Sequence, residues 1–84
     1  MTIEEQIKEY ISSNLIFSSN GFPFSDEASF LDQGIVDSIG IMELVAFVED
    51  NFKLTVEDCE ITPMNFDSVA QLAGYVRSKM KAVV

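Results

Sequence analysis

The chain has 84 residues, and 14 acidic against five basic side chains give it a formal net charge of −9 at pH 7. This length suffices for one small domain, expected over residues 1–84, and leaves no room for a second core or a deep substrate cavity. The shortage of lysine and arginine argues against nucleic acid or anionic lipid as partners.

The first predicted element is a helix over residues 2–16. Thr2 and Glu5 form a T-x-x-E capping box at its start. Apolar residues then recur at helical spacing, namely Ile3, Ile7, Tyr10, Ile11 and Leu15.

Residues 17–37 mix turn formers with apolar residues without any periodicity, and we predict one long loop there. Its apolar side chains should hold it against the core; they are Phe22, Phe24, Phe30, Leu31, Ile35 and Val36.

Three further helices are predicted, over residues 38–52, 63–66 and 68–81. Ser38 is a favourable N-cap for the second helix, and Thr62 followed by Pro63 is typical of the start of a short one. Ser68 and Gln71 form another capping box before the last helix. No segment has the alternation of a strand, so the predicted fold is all-α: a small bundle of three main helices plus one short helix.

The second helix has two apolar faces when its residues are placed on a helical wheel. The predicted core face carries Leu44, Val48, Ile41 and Phe52. Almost opposite lie Ile39, Met42 and Ala46, edged by Glu43, Glu49 and Asp50. An exposed apolar strip with an acidic rim usually marks a contact surface. The alternative is that the long loop or the last helix covers this strip, so that the helix is buried all round.

Charge is distributed unevenly along the chain. Residues 9–52 contain eight acids and no base, so this half of the molecule projects a negative field. Such a field favours a basic protein partner through steered encounter. The alternative is a surface charge that only keeps the protein in solution.

The chain lacks the groups that catalysis at a serine or metal binding would need. It has no histidine, so Ser38 has no adjacent imidazole to activate it as a nucleophile. The acids do not have the spacing of a calcium loop, and Cys59 has no second cysteine with which to hold zinc. We therefore expect neither enzyme activity nor a metal site, and we interpret Cys59 as a small, half-buried apolar residue. The remaining chemical use of Ser38 is as an acceptor that another enzyme modifies.

The segments "ASFLDQGIVDSIGIMELVAFVEDNF" and "ITPMNFDSVAQLAGYV", which lie within residues 28–76, resemble the acyl carrier protein family, including its peptidyl and aminoacyl carriers. The D-S-hydrophobe triplet alone is weak evidence. Its specificity comes from the F-x-D-x-G before it, the E-L-V and E-x-x-F after it, and the distant N-F-x-S-V at this spacing.

The resemblance implies that Ser38 receives a 4′-phosphopantetheine arm. In the family, a phosphopantetheinyl transferase takes this arm from coenzyme A with magnesium, and the aspartate at the position of Asp37 assists the transfer. The thiol of the arm then carries an acyl or aminoacyl group as a thioester. An acyl- or amino-acid-activating ligase and downstream acyl-transfer enzymes are the implied partners. The family's recognition helix corresponds to residues 38–52, which gives the docking role to Ile39, Met42, Glu43, Ala46, Glu49 and Asp50.

Two features bear on the subtype. Fatty-acid carriers typically have a small residue before the D-S pair and an acid shortly after it, whereas this chain has Val36 and Gly40. These residues are more similar to stand-alone carriers of aminoacyl-loading, D-alanyl or secondary-metabolite systems. A competing hypothesis is a non-covalent module whose acidic helix docks a basic partner without any arm.

Location and assembly are expected to be simple. No apolar run approaches the roughly 20 residues that a membrane span needs, and the N-terminus lacks the basic start of a secretory signal. We expect a discrete, monomeric carrier in the cytoplasm that does not insert into membranes.

Overall fold

A computed structural model of the chain describes residues 2–18 and 21–82. It contains α1 (Ile3–Asn14), α2 (Ser38–Phe52), a 3-10 helix (Asp58–Glu60), α3 (Pro63–Phe66) and α4 (Val69–Ala82). No strand occurs among these described residues. The predicted all-α bundle of three main helices plus one short helix is therefore confirmed. The 3-10 helix was not predicted, because its three residues are too few to show a period.

The helix ends follow local hydrogen bonding. Glu5 N donates to Thr2 Oγ1 over 3.1 Å, and Thr2 N donates to Glu5 Oε1 over 2.9 Å, so both halves of the first capping box form. Since Thr2 is the cap, α1 begins one residue later than predicted. At the other end α1 stops at Asn14 rather than at residue 16. Leu15 is its C-cap, and the backbone turns left-handed at Phe17, where φ is 52°.

The start of α4 differs slightly from the prediction. Gln71 N donates to Ser68 Oγ over 3.1 Å, which makes Ser68 the residue before the helix rather than its first member. The hydroxyl of Ser68 donates in turn to the Gln71 side chain over 3.3 Å. Thr62 precedes α3 as predicted, with Pro63 as the first helical residue, although the Thr62 side chain makes no capping hydrogen bond.

One hydrophobic core joins all four helices and the loop. On α2, Leu44 and Val48 are fully buried, while Ile41 and Phe52 pack half-buried at the edge of the predicted core face. The largest fully buried side chains come from the four α-helices and the loop: Ile7, Ile11, Phe30, Leu44, Val48, Phe66, Val69, Leu72 and Val76. Cys59, expected to be half-buried, is exposed on the 3-10 helix.

The long loop is held by a clamp at the α3–α4 junction. Phe30 N donates to the Asp67 carbonyl over 2.7 Å. The Asp67 carboxylate accepts from Ser29 Oγ over 2.6 Å and from Leu31 N over 3.3 Å. Phe30, Ile35 and Val36 are buried as expected, whereas Phe24 and Leu31 are exposed. The apolar residues of the loop therefore fix only part of it. Asp67 holds the segment around Phe30, and Asp26, whose carbonyl accepts from Ala70 N over 2.9 Å, holds another part.

α1 runs antiparallel to both α2 and α4. At one end of the first pair, Asn51 Nδ2 on α2 donates to Gln6 Oε1 on α1 over 2.7 Å. For the second pair, Arg77 Nη1 on α4 donates to Glu4 Oε2 on α1 over 2.8 Å. The C-terminal end of α1 consequently lies beside the N-terminal end of α2, where Ser38 is located.

Candidate functional site

Asp37 caps α2, which corrects the expectation that Ser38 does so. The Asp37 backbone is extended, with φ −91° and ψ −176°, and its Oδ1 accepts from Gly40 N over 2.8 Å. Ser38 is the first helical residue, and its side chain is exposed. Both residue types are good caps, but a helix has one N-cap, and the extended backbone at Asp37 followed by helical backbone at Ser38 makes Asp37 that residue. The Ser38 hydroxyl is thereby released from a structural role.

Val36 packs closely against Gly40 at the start of α2. Gly40 is buried, and a Cβ placed on it would lie 2.5 Å from Val36 Cγ1 and 3.3 Å from Asp37 Oδ1. Val36 itself is buried. The valine before the D-S pair and the glycine after it therefore form one packing arrangement. As evidence of subtype they count as one feature rather than two.

Replacing Gly40 by alanine is expected to destabilise the protein by about 1–2 kcal/mol, because the new methyl group overlaps the buried Val36 side chain. Urea unfolding of Gly40→Ala, Val36→Ala and the double variant measures this effect. The double variant should lose less stability than the sum of the two single losses.

Gly74 on α4 provides the matched control. A Cβ there meets nothing within 4 Å, so Gly74→Ala should stabilise the helix by up to ~1 kcal/mol. A stabilising Gly40→Ala, or strictly additive losses, would contradict the proposed contact.

The strip along α2 is open. Ile39 is 74% exposed and Met42 is 55% exposed, and Ala46 is exposed as well. No described residue of the loop or of α4 covers them, so the alternative of a helix buried all round is wrong for this part of the chain. Glu43 and Asp50 are also exposed.

Glu49 differs from the other acids of the strip. It is half-buried, and its Oε2 accepts from Val56 N over 3.0 Å. This carboxylate therefore holds the segment that follows α2. The sequence groups Glu49 with the solvated acids because its partner Val56 lies beyond the end of α2, where helical spacing does not indicate which residues meet.

An apolar hollow opens beside Ser38, between α2 and α3. It has a volume of about 240 Å³ and is lined mainly by apolar side chains from the loop, α2 and α3. The apolar residues that line it are Leu31, Ile41, Met42, Ile61, Pro63 and Phe66. The sequence alone does not predict this hollow. Leu31 and Ile61 lie outside the long helices, where no periodicity indicates which way a side chain faces.

The exposed acids Asp37, Glu43 and Asp50 form no ion pair with a base among the described residues, whose ion pairs lie elsewhere. Lys8 pairs with Asp26 over 2.8 Å, and Lys79 pairs with Glu60 over 3.0 Å, as Arg77 does with Glu4. Burial raises the pKa of Tyr10, and the negative charge of Glu43 raises it further. Within the described residues no group of three or more potential ligands is placed to hold a metal ion.

Added salt is expected to raise the melting temperature. Self-repulsion at a net charge of −9 opposes compaction and is screened by ions. The three ion pairs among the described residues are partly exposed, so solvent screening leaves each of them a small contribution to stability. A gain of ~1 kcal/mol corresponds to roughly 4–8 °C in a chain of this size. Thermal melts in low and moderate sodium chloride measure it, and a melting temperature that falls with salt would show that the ion pairs outweigh the repulsion.

Comparisons with known proteins agree with this geometry. The family model described as "Phosphopantetheine attachment site" matches residues 5–76. The chain is 30% identical over 79 residues to the acyl carrier protein of Buchnera aphidicola subsp. Schizaphis graminum (strain Sg), with 94% of this chain and 95% of that protein covered. The chain therefore belongs to the acyl carrier protein family. It is a phosphopantetheine-dependent carrier, and the non-covalent module is not favoured.

Family membership also bears on whether the protein is a catalyst. Members of the family carry groups between enzymes and are not catalysts themselves, which agrees with the expectation of no enzyme activity. Partners of the family are a phosphopantetheinyl transferase and biosynthetic enzymes. Among the described residues, no helix has the length and apolar character needed to cross a bilayer.

Proposed function

We propose that Ser38 is the residue to which the phosphopantetheine arm is attached. The observation that carries this proposal is the exposed hydroxyl at the first position of α2, which is free because Asp37 is the cap. In the transfer, Ser38 Oγ loses its proton to the transferase and bonds to the phosphorus that bears pantetheine. The phosphorus–oxygen bond to the nucleotide half of coenzyme A breaks, and that half leaves.

The start of α2 suits a phosphodiester. Backbone N–H groups in the first turn of a helix have no partner within the helix, and the helix dipole places partial positive charge there. An attached phosphate at such an exposed position gains about 0.3–1 kcal/mol. The arm supplies a terminal thiol that holds the acyl or aminoacyl group as a thioester. The apolar hollow beside Ser38 offers a surface along which the arm or a small apolar group lies between visits to enzymes.

Asp37 is proposed to assist attachment. Its side chain is exposed, and Oδ1 is held in place by Gly40 N–H. The carboxylate therefore has a defined position next to the acceptor hydroxyl. It presents a negative charge to the transferase at the point where the reaction occurs.

Docking of enzymes is assigned to the open strip on α2. Ile39, Met42 and Ala46 supply its apolar centre, and Glu43 and Asp50 supply its acidic rim. Glu49 belongs to the rim only through the oxygen that does not hold Val56. Rim charges accelerate encounter more than they add affinity, which suits a carrier that must dock and leave quickly.

The pathway is proposed from the pattern around Ser38. Val36 and Gly40 support an aminoacyl, D-alanyl or secondary-metabolite carrier over a fatty-acid carrier. Because the two residues pack against each other, they count as one supporting feature. The corresponding partners are an adenylating ligase that loads the arm and acyl-transfer enzymes that unload it. A monomeric state and a cytoplasmic location stay predictions.

The test is modification in vitro. The protein is incubated with coenzyme A, magnesium and a broad-specificity phosphopantetheinyl transferase, then weighed intact and fragmented. The proposal requires one added arm, located by fragmentation on Ser38. An unmodified protein, or an arm on another residue, would refute it.

A further inference from the structure

Phe17 is both strained and exposed. Its φ of 52° lies in the left-handed region, which is rare for a bulky residue. Ser18 N donates to the Ser12 carbonyl over 2.7 Å, closing the end of α1 around Phe17. Glycine or asparagine is preferred at this position in a helix end. The ring is nonetheless 79% exposed, so burial does not compensate for the backbone conformation.

Phe17 lies at the same end of the molecule as Ser38. Tyr10 on α1 stacks on Phe47 of α2 with ring centroids 4.2 Å apart, and the two helices run antiparallel. Beyond that stack, Phe17 and Ile39 line one hollow together with the start of α2. This hollow is on the other side of α2 from the one that Ser38 lines with α3. The first turn of α2 therefore stands between two recesses.

The hollow at Phe17 has a mixed lining, with exposed apolar side chains beside acidic ones. Phe17 and Ile39 are its two most exposed apolar residues, and Asp37 and Glu43 line it as well. No base occurs between residues 9 and 52 to neutralise these carboxylates from the same part of the chain. The complementary surface is an apolar side chain flanked by arginine or lysine.

We propose that Phe17 and Ile39 form an anchor for the transferase that modifies Ser38. This inference rests on the proposed attachment at Ser38. The transferase must bring its reacting groups to Ser38 Oγ itself, so its surface has to extend over both sides of the first turn of α2. Enzymes that act on the thiol work at the far end of the arm and have no such requirement. The exposed Phe17 ring lines the hollow beside the start of α2, where the transferase contacts it.

Phe17→Asn and Phe17→Gly separate docking from folding, because both residues tolerate the left-handed conformation. Their melting temperatures should equal or exceed that of the wild type. In steady-state assays with the broad-specificity transferase and coenzyme A, KM for the carrier should rise ~10-fold at unchanged kcat, the size expected for loss of one anchor side chain. Ile39→Ala should change KM in the same direction.

Phe24→Ala is the control, since it removes another exposed phenylalanine of the loop that does not line the hollow. Its KM should match the wild type. An unchanged KM in both Phe17 variants, or an equal rise in Phe24→Ala, would overturn the anchor while leaving attachment at Ser38 intact. A wild-type protein that gains no arm would instead refute the attachment site and the anchor with it.

Discussion

Ser38→Ala is expected to lose phosphopantetheine attachment completely while keeping its stability within about 0.5 kcal/mol of the wild type. The loss follows because alanine has no oxygen to bond to phosphorus. The unchanged stability follows because Asp37, not Ser38, accepts the hydrogen bond from Gly40 N–H. Intact mass spectrometry after incubation with the transferase measures the first effect, and urea unfolding measures the second.

Two control variants sharpen this prediction. Asp37→Ala should cost about 0.5–2 kcal/mol, since it removes the cap. Ser13→Ala removes another exposed serine, on α1, and should accept one arm like the wild type. A cost of ~1 kcal/mol in Ser38→Ala with none in Asp37→Ala would mean that Ser38 is the cap after all. An arm that persists in Ser38→Ala would refute the attachment site.

Asp67→Ala is expected to destabilise the protein by about 2–4 kcal/mol, the largest loss among the variants considered. The carboxylate accepts from Ser29 Oγ over 2.6 Å and from Leu31 N over 3.3 Å. Hydrogen bonds to charged groups contribute about 1.5–3 kcal/mol each, and the longer of these two is the weaker. The clamp is also connected to the site through Phe30. The Phe30 carbonyl accepts from Ile35 N over 2.8 Å and from Val36 N over 3.2 Å, directly before Asp37. Loosening it should therefore disturb the approach to Asp37 and Ser38.

Urea unfolding of Asp67→Ala, Ser29→Ala and the double variant tests the clamp. Ser29→Ala should cost less than Asp67→Ala, and the pair should be non-additive because the two side chains share one hydrogen bond. Asp32→Ala is the control. Asp32 is an exposed aspartate of the same loop that bonds to Ser29 Oγ through its backbone N–H and not through its carboxylate, so the substitution keeps that bond. An Asp67→Ala loss no larger than that of Asp32→Ala would contradict the clamp.

Local sequence patterns were sufficient for the helices. The Thr2–Glu5 box and the apolar spacing behind it determine where α1 begins, since cap and period involve residues within four positions of each other. The same holds for Leu44 and Val48 on the core face of α2. The motif around Ser38 was likewise sufficient to identify the family, which the family model and the similar carrier confirm.

Local sequence patterns do not predict the contacts between distant segments that form the site. Asp67 meets Ser29 across 38 positions and Leu31 across 36, and nothing in either segment indicates the pairing. The hydrogen bond from Val56 N to Glu49 is likewise not indicated by any local pattern. The hollow beside Ser38 combines residues of the loop, α2 and α3, so it exists only once those elements are assembled.

The sequence by itself determined that this chain folds as a helical carrier, where its main helices lie, and which serine begins the second of them. Only the tertiary structure decided which of two adjacent cap-forming residues is the cap, because it shows the extended backbone and the hydrogen bond from Gly40 N at Asp37 rather than at Ser38. It also decided that the Asp67 carboxylate holds the long loop at Ser29 and Leu31, and that Phe17 is exposed in a strained conformation. Side-chain periodicity records which face of a helix is buried, whereas contacts between distant segments depend on how the helices pack.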